Sequence, residues 1–266
     1  VADIMTSAFQ SAGQRCSALR VLYVQSDIAA ALKEMLFGAM ETQVLGDPLL
    51  ASVDIGPVID VAAKTKIDAY IERAAADGRL MKQIDAPATG TFVGPAVISV
   101  DGIEDVKEEI FGPVLHLGTF DADGVDAVID AINATGFGLT FGLHTRIDGR
   151  VQHMMDRVDA GNIYINRNQI GAVVGSQPFG GHGLSGTGPK AGGPRYLSAF
   201  SEDHPEPVVQ TQHLPGPTGE ENTYSLHPRH GVLCAGPGVE LAREQAQIAA
   251  NLGCKNIVLA PDSEPD

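Results

Sequence analysis

The sequence predicts an α/β protein whose sheet is rich in parallel strands and covered by helices on both faces. Two features of the chain lead to this prediction: short β-branched and apolar runs alternate with segments of helical periodicity, and glycine or proline separates many of them. With 266 residues, the chain is long enough to bury a sizeable core in one or two domains.

Apolar periodicity places the elements in order along the chain. The predicted strands are 21–24, 79–83, 93–100, 114–120 and 162–166. The predicted helices are 4–9, 27–43, 61–77, 121–134 and 150–160, with a short apolar stretch at 136–145. Asp27 and Asp121 are expected to cap their helices through a carboxylate, and Gly78 is expected to end the third helix.

Beyond Tyr196 the composition changes. Residues 202–219 are rich in Pro, Asp, Glu and His, and they predict an extended connector. A strand, a helix and a second strand then predict a single βαβ unit, at 230–235, 239–251 and 255–260. The predicted division is a main α/β domain at 1–200, a connector or oligomerisation segment at 201–226, and part of a Rossmann-like domain at 227–266.

The charge and the cysteines limit the classes of function. A formal net charge of -15 and a pI near 4.8 argue against a nucleic-acid partner, which favours a basic surface. No apolar run is long enough to predict a membrane span, and the first residues lack the features of a signal peptide. Cys16, Cys234 and Cys254 have no metal-ligand spacing, so we expect a reduced, cytoplasmic protein without a metal site.

One thiol stands out by its position. Cys16 lies at a predicted helix-to-strand corner beside small residues, where a substrate can approach closely. Thiolates are strong nucleophiles, so the position is a candidate for covalent catalysis, and a small buried structural cysteine is the alternative. A hydrolase dyad between Cys16 and a histidine has no supporting signature. The histidines considered as partners are His116, His144, His153 and His182.

Three motifs carry a resemblance to a known family. Gly13-Gln14-Arg15-Cys16-Ser17-Ala18 resembles the nucleophile loop of the aldehyde dehydrogenase superfamily, and Glu108–Val114 resembles its cofactor-contacting strand. Gly171–Gly181, followed by Gly186–Pro194, is similar to the L-glutamate-γ-semialdehyde dehydrogenase module of the bifunctional proline utilization A (PutA) family. Leu214–Tyr224 also resembles the stretch that follows that module.

The resemblance implies a reaction and a cofactor. Cys16 matches the nucleophile that attacks the aldehyde, and its own backbone N–H would stabilise the oxyanion before hydride passes to NAD. Glu109 matches the residue that accepts hydrogen bonds from the nicotinamide ribose, and Phe111 matches the aromatic beside it. Arg15 would either favour the thiolate through its charge or anchor the loop through hydrogen bonds.

The resemblance also implies the residues that bind the substrate. Glutamate semialdehyde carries a carboxylate far from its aldehyde, and backbone N–H groups with a hydroxyl bind carboxylates well. Ser17, Gly171 and Ala172 match the positions that bind this carboxylate. The alternative for Gly171 is that glycine is needed there only for the geometry of a turn. Phe179 matches a residue that lines the aliphatic part of the substrate tunnel.

Parts of the family pattern lie outside this sequence. The superfamily's cofactor domain, general-base glutamate and oxyanion asparagine precede the nucleophile, and the flavin (FAD) belongs to the absent proline dehydrogenase module. We therefore expect a fragment of a homo-oligomeric parent enzyme that is inactive by itself. A non-enzymatic remnant that serves assembly and an aldehyde dehydrogenase of other substrate specificity are the alternatives.

Overall fold

The computed structural model describes residues 1–186, 188–201 and 211–261. The chain divides into two units, the first comprising Val1–Gly171 with Gly180–Gly188 and the second comprising Ala172–Phe179 with Pro189–Asp266. The domain boundaries predicted after residues 200 and 226 stay a prediction.

Helices and strands alternate along the first unit, as predicted. The described helices are α1 Ala2–Phe9, α2 Ser26–Glu41, α3 Val61–Ala76, α4 Val125–Ala134, α5 Asp148–Met155 and α6 Gly238–Asn251. The described strands are β1 Val21–Gln25, β2 Leu80–Gln83, β3 Ala96–Ser99, β4 Val114–Phe120, β5 Phe137–Gly138, β6 Thr140–Leu143, β7 Asn162–Ile165, β8 His182–Gly183, β9 Thr211–Leu214, β10 Asn222–Ser225, β11 Gly231–Cys234 and β12 Asn256–Leu259.

A four-stranded sheet in the order β1-β4-β3-β2 organises the first unit. Strands β1 and β3 run parallel to β4, with Val21 opposite His116 and Ala96 opposite Val114, while β2 pairs antiparallel with β3. The first five residues of β4 are buried, which is typical of a central parallel strand. The prediction of an α/β fold with a parallel-rich sheet is therefore confirmed.

Apolar residues from the sheet and from the three helices α1, α2 and α3 form the main core. Phe9 of α1 and Leu36 of α2 are fully buried, together with Ile98 of β3 and Leu115 of β4. A smaller cluster forms where α4 and α5 pack near the parallel pair β6–β7; it contains Ile129, Met154, Val158 and Ala160. Leu36 and Met40 of α2 lie in the main core, whereas Ile28 and Met35, which share the helical spacing of that helix, are exposed.

The two predicted aspartate caps are wrong. Helix α2 begins after Gln25 without a side-chain cap, and the Asp27 carboxylate instead accepts a hydrogen bond from the Gln25 amide at 2.8 Å. Helix α4 begins only at Val125, four residues beyond Asp121, whose carboxylate accepts a hydrogen bond from Ser26 Oγ at 2.8 Å. In both cases a neighbouring side chain competes for the carboxylate.

The third helix has the cap that sequence reasoning overlooked. Asp60 Oδ1 accepts a hydrogen bond from Ala63 N at 2.7 Å, so α3 begins at a true side-chain cap. The helix ends at Ala76, and Gly78 follows with a φ of +71°, which confirms the predicted end. Helix α5 is shorter than the predicted 150–160, because it ends at Met155.

The second unit contains a hairpin and a βαβ unit. Strands β9 and β10 pair antiparallel, and Thr211 Oγ1 lies 2.8 Å from Ser225 Oγ. Residues 211–214 are thus extended and paired in a hairpin, while the role of 201–226 as a connector stays a prediction; residues 202–210 lie outside the described residues. Strands β11 and β12 are parallel and joined by α6, as predicted.

Two negative findings apply to the described residues. None of their helices has both the length and the apolar character needed to cross a bilayer. The same residues contain no group of three or more His, Cys, Asp or Glu side chains that could hold a metal ion.

Candidate functional site

Two segments of the first unit meet backbone to backbone: the Cys16 loop (residues 11–18) and the Glu109 segment (residues 108–113). Ser11, Ala12 and Gly13 have φ values of 56°, 53° and 64°, an unusual run of left-handed residues. A Cβ at Gly13 would lie 2.2 Å from the carbonyl oxygen of Gly112. Only glycine fits here, and the contact brings the two segments together.

The thiol lies at the tip of a turn. Ala18 N donates to Arg15 O at 3.0 Å and closes a turn around Cys16, whose side chain is exposed. Ser17, by contrast, is buried, and its carbonyl accepts a hydrogen bond from the Gln169 amide at 3.2 Å. The turn therefore presents the Cys16 thiol to solvent while its neighbour fixes the loop to the body of the unit.

The side chain of Arg20 joins the two segments. Its Nη1 donates to Gly13 O at 2.7 Å and to Gly112 O at 3.3 Å, while Nη2 donates to Arg15 O at 3.1 Å. Its Nε donates to Glu109 Oε1 at 3.0 Å in an ion pair. One planar guanidinium thus holds three carbonyls and one carboxylate, which suits the fixed fork of its donors.

The aromatic ring of the Glu109 segment also contacts Arg20. The guanidinium carbon lies 4.9 Å from the centroid of the Phe111 ring, a cation–π distance. Burial lowers the pKa of Arg20 from its ordinary value, and the charge and hydrogen bond of Glu109 oppose that shift. The side chain of Arg20 is 15% exposed and that of Glu109 is 56% exposed, so the carboxylate remains open to a ligand.

A buried histidine fixes the backbone of Arg20. His116 is fully buried, its Nδ1 lies 2.9 Å from Arg20 O, and its Nε2 lies 2.8 Å from the Tyr70 hydroxyl. The backbone N of His116 also donates to Arg20 O at 2.9 Å. Burial is the main cause that lowers the pKa of His116, so the imidazole is neutral at pH 7.

Three of the four histidines considered for a hydrolase dyad contact groups other than the Cys16 thiol. His116 is bound to Tyr70 and to the Arg20 carbonyl, whereas His153 lies 2.6 Å from Asp126 and His144 lies 3.9 Å from Asp3. Arg15 donates from Nε to Ser11 Oγ at 3.2 Å, which is the loop-anchoring role considered for it.

The residues before Gly171 are bound to the Cys16 loop. Gln169 N donates to Ser7 Oγ at 3.2 Å, and the Gln169 side chain reaches the Ser17 carbonyl. Gly171 itself is exposed with a φ of +74°, and a Cβ there would meet nothing within 4 Å. Gly171 therefore follows Gln169, whose side chain contacts Ser17, by two residues in sequence.

The other two predicted substrate residues belong to the second unit. Phe179 forms a β-bridge with Ala191, and Gln177 N donates to Val173 O at 2.7 Å. The Gln177 side chain donates to Glu220 Oε1 at 2.8 Å and is 3.4 Å from Asn222 Oδ1. The position of Ala172 and Phe179 with respect to the thiol remains a prediction from the sequence.

Sequence reasoning missed Arg20, Gln169 and the Tyr70–His116 pair. A weak signal was available for Arg20, since a charge stands directly before the apolar strand β1 and must find a partner when that strand is buried. For Gln169 and Tyr70 the local sequence offers no comparable signal.

Comparison with known proteins adds independent findings. A model of the Aldehyde dehydrogenase family matches residues 1–204. The bifunctional protein PutA of Rhizobium meliloti is 44% identical, over 97% of this chain and 24% of that protein. The chain thus spans about a quarter of the length of that relative.

Solved structures agree with this match. A point mutant of Bradyrhizobium japonicum proline utilization A has a TM-score of 0.73 at 51% identity, covering 75% of this chain and 20% of that one. A 1-pyrroline-5-carboxylate dehydrogenase from Thermus with bound NAD has a TM-score of 0.69 at 32% identity, covering 75% of this chain and 39% of the other.

Proposed function

Because the chain belongs to the aldehyde dehydrogenase family, we propose that it is the thiol-bearing part of an NAD-dependent L-glutamate γ-semialdehyde dehydrogenase. The relatives named proline utilization A and 1-pyrroline-5-carboxylate dehydrogenase support this choice of substrate. The observation that carries the proposal is the joining of the Cys16 loop to the Glu109 segment by Arg20. It places an exposed thiol and an exposed carboxylate on one rigid framework.

In the proposed reaction, the Cys16 thiolate attacks the aldehyde carbon and forms a C–S bond. The Cys16 backbone N–H donates to the oxyanion of this thiohemiacetal, a contact worth about 2.7–4 kcal/mol in related sites. Collapse of the oxyanion expels hydride and leaves an acyl thioester on Cys16. Water then attacks the thioester carbon, and glutamate leaves as the thiol is restored.

The residues of the Glu109 segment fit the nicotinamide end of NAD. The Glu109 carboxylate is exposed and can accept hydrogen bonds from two vicinal hydroxyls, while the half-exposed Phe111 ring offers an apolar face beside it. NAD, when bound, supplies the hydride acceptor. Glu109 would orient the ribose, and Phe111 would exclude water from the neighbouring face of the ring.

Ser17, Gly171 and Ala172 would bind the α-carboxylate of the substrate. The left-handed backbone of Gly171 and the open space at its Cα allow an anion to approach the backbone closely. Phe179 would line the path of the aliphatic chain. We also propose a cytoplasmic homo-oligomer, with FAD confined to a separate proline dehydrogenase module of the parent enzyme.

A chimera tests the proposed function. This chain would replace the matching segment of Rhizobium meliloti PutA, and NAD reduction would be followed with glutamate semialdehyde. We expect Cys16→Ser to lower kcat at least about a thousandfold, whereas Cys254→Ser serves as a matched control with ordinary activity. Ordinary activity in the Cys16→Ser chimera would overturn the proposal. Activity confined to aldehydes without a carboxylate would favour a different substrate.

A further inference from the structure

The guanidinium of Arg20 uses nearly its whole donor set on two segments that are far apart in sequence. Gly13 O and Arg15 O belong to the Cys16 loop, while Glu109 Oε1 and Gly112 O belong to the Glu109 segment. Arg20 therefore does more than neutralise a carboxylate. Its contacts determine where both segments stand in relation to each other.

We propose that Arg20 is a positioning residue. It holds both Glu109, which would bind the ribose of the cofactor, and the backbone beside Cys16, so that the positions of the carboxylate and of the thiol depend on each other. The inference rests on the function proposed above and deepens it. Arg20 holds Glu109 by Oε1, which leaves the second carboxylate oxygen for the ribose. Through Arg15 O, the same side chain holds the residue that directly precedes the nucleophile.

The backbone below Arg20 is held firmly enough to serve this role. The Arg20 carbonyl receives the backbone N–H of His116 and lies within hydrogen-bond distance of its imidazole, which is anchored in turn by Tyr70. Because His116 lies on the central strand β4, the base of the Arg20 side chain is tied to the sheet. Because its base is fixed in this way, the guanidinium can hold the two exposed segments in defined positions relative to the buried sheet.

Lysine cannot replace arginine in this arrangement. A single ammonium preserves the charge toward Glu109, but its three donors radiate from one nitrogen and cannot match a planar fork spread over four oxygens. Arg20→Lys therefore separates the positioning role from simple charge. Arg157→Lys is a matched control, because Arg157 pairs with two exposed carboxylates, those of Asp126 and Asp130.

Hydrogen–deuterium exchange of this chain tests the coupling without any need for activity. In Arg20→Lys we expect amide exchange to become about tenfold faster in residues 13–16 and in 109–114 together, with β3 unchanged. Arg20→Met, which also lacks the charge, should show the same pattern more strongly. Faster exchange in only one of the two segments, or in neither, would overturn the inference, as would an equal rise across the whole first unit.

The chimera supplies a second readout. Arg20→Lys should raise KM for NAD about three- to tenfold as well as lowering kcat, whereas Arg157→Lys should leave both within about twofold. If the two residues are coupled, adding Arg20→Lys to Glu109→Gln should raise KM for NAD little further. If the double variant raised KM for NAD by the product of the two separate effects, the coupling would be overturned.

The two proposals fail in different ways. An active Cys16→Ser chimera would refute the proposed function, whatever the effect of substituting Arg20. An inactive Cys16→Ser chimera, together with unchanged exchange and unchanged KM for NAD in Arg20→Lys, would remove only the inference about Arg20.

Discussion

Gly13 and Gly112 lie in contact through their backbones, and a Cβ on Gly13 would come within 2.2 Å of the Gly112 carbonyl oxygen. This contact sets the distance between the Cys16 loop and the Glu109 segment, and the Arg20 side chain binds the carbonyls of both glycines. The separation of the two segments is therefore fixed by the absence of a side chain as much as by hydrogen bonds.

Gly13→Ala is expected to destabilise the chain by about 2–4 kcal/mol, because it combines left-handed strain with a steric clash. Gly78→Ala is the matched control: Gly78 has a similar φ of +71° but nothing within 4 Å of its added Cβ, so we expect only about 1 kcal/mol. Urea denaturation of both variants measures the difference. Equal losses would show that the close approach to Gly112 is unimportant.

Among the cysteines, Cys16 should react first with iodoacetamide. It is exposed, whereas Cys234 is buried in β11 and Cys254 is only partly accessible. Peptide mapping by mass spectrometry after brief labelling should find the adduct mainly at Cys16, and Cys16→Ser should remove the fast phase. A fast phase that persists in Cys16→Ser would contradict the exposed position of this thiol.

Ser17→Ala tests the proposed carboxylate site in the PutA chimera. Loss of one charge-assisted hydrogen bond, worth about 1.5–3 kcal/mol, predicts a 10- to 150-fold fall in kcat/KM for glutamate semialdehyde. An aldehyde of similar length without the carboxylate should lose much less, because it never makes the contact. Equal losses on both substrates would show that Ser17 supports Cys16 itself.

His116 should make the stability of the chain depend on pH. Burial depresses its pKa, so the unfolded state, with an ordinary pKa near 6.5, binds a proton first as the pH falls. The contribution of His116 is thus complete above about pH 6.5 and is lost progressively toward the lower folded pKa.

Urea denaturation between pH 7.5 and 5 measures this dependence. His116→Gln should lower stability at pH 7.5 yet show a shallower decline toward pH 5, while His230→Gln, an exposed control, should follow the unmodified chain. An unchanged slope in His116→Gln would refute the assignment.

Local periodicity was sufficient to predict the types and approximate bounds of most elements, because a helix or strand with one buried face carries apolar residues at a regular spacing. Helix starts were harder to predict. Asp27 and Asp121 each bind a side chain instead of a helix N-terminus, and that choice depends on where Gln25 and Ser26 point. Such competition between partners is invisible in a linear pattern.

The role of Arg20 was out of reach for a similar reason. Its carboxylate partner, Glu109, and its distant carbonyl partner, Gly112, lie 89 and 92 residues away along the chain. The family motifs identified the two segments but contained no information about the side chain that joins them. Only the folded chain shows that a residue just outside the cysteine motif contacts both.

The second unit is built from two separate stretches of the sequence, and this limits where the chain can be shortened. Ala172–Phe179 cluster with Pro189–Asp266, and Gln177 is held by Glu220 and Asn222 at the end of the hairpin. A shortened chain that stopped at residue 200 would keep all three motifs and still lose Glu220 and Asn222, the partners of the Gln177 side chain. Motif content is therefore a poor guide to the smallest polypeptide in which residues 172–179 keep these contacts.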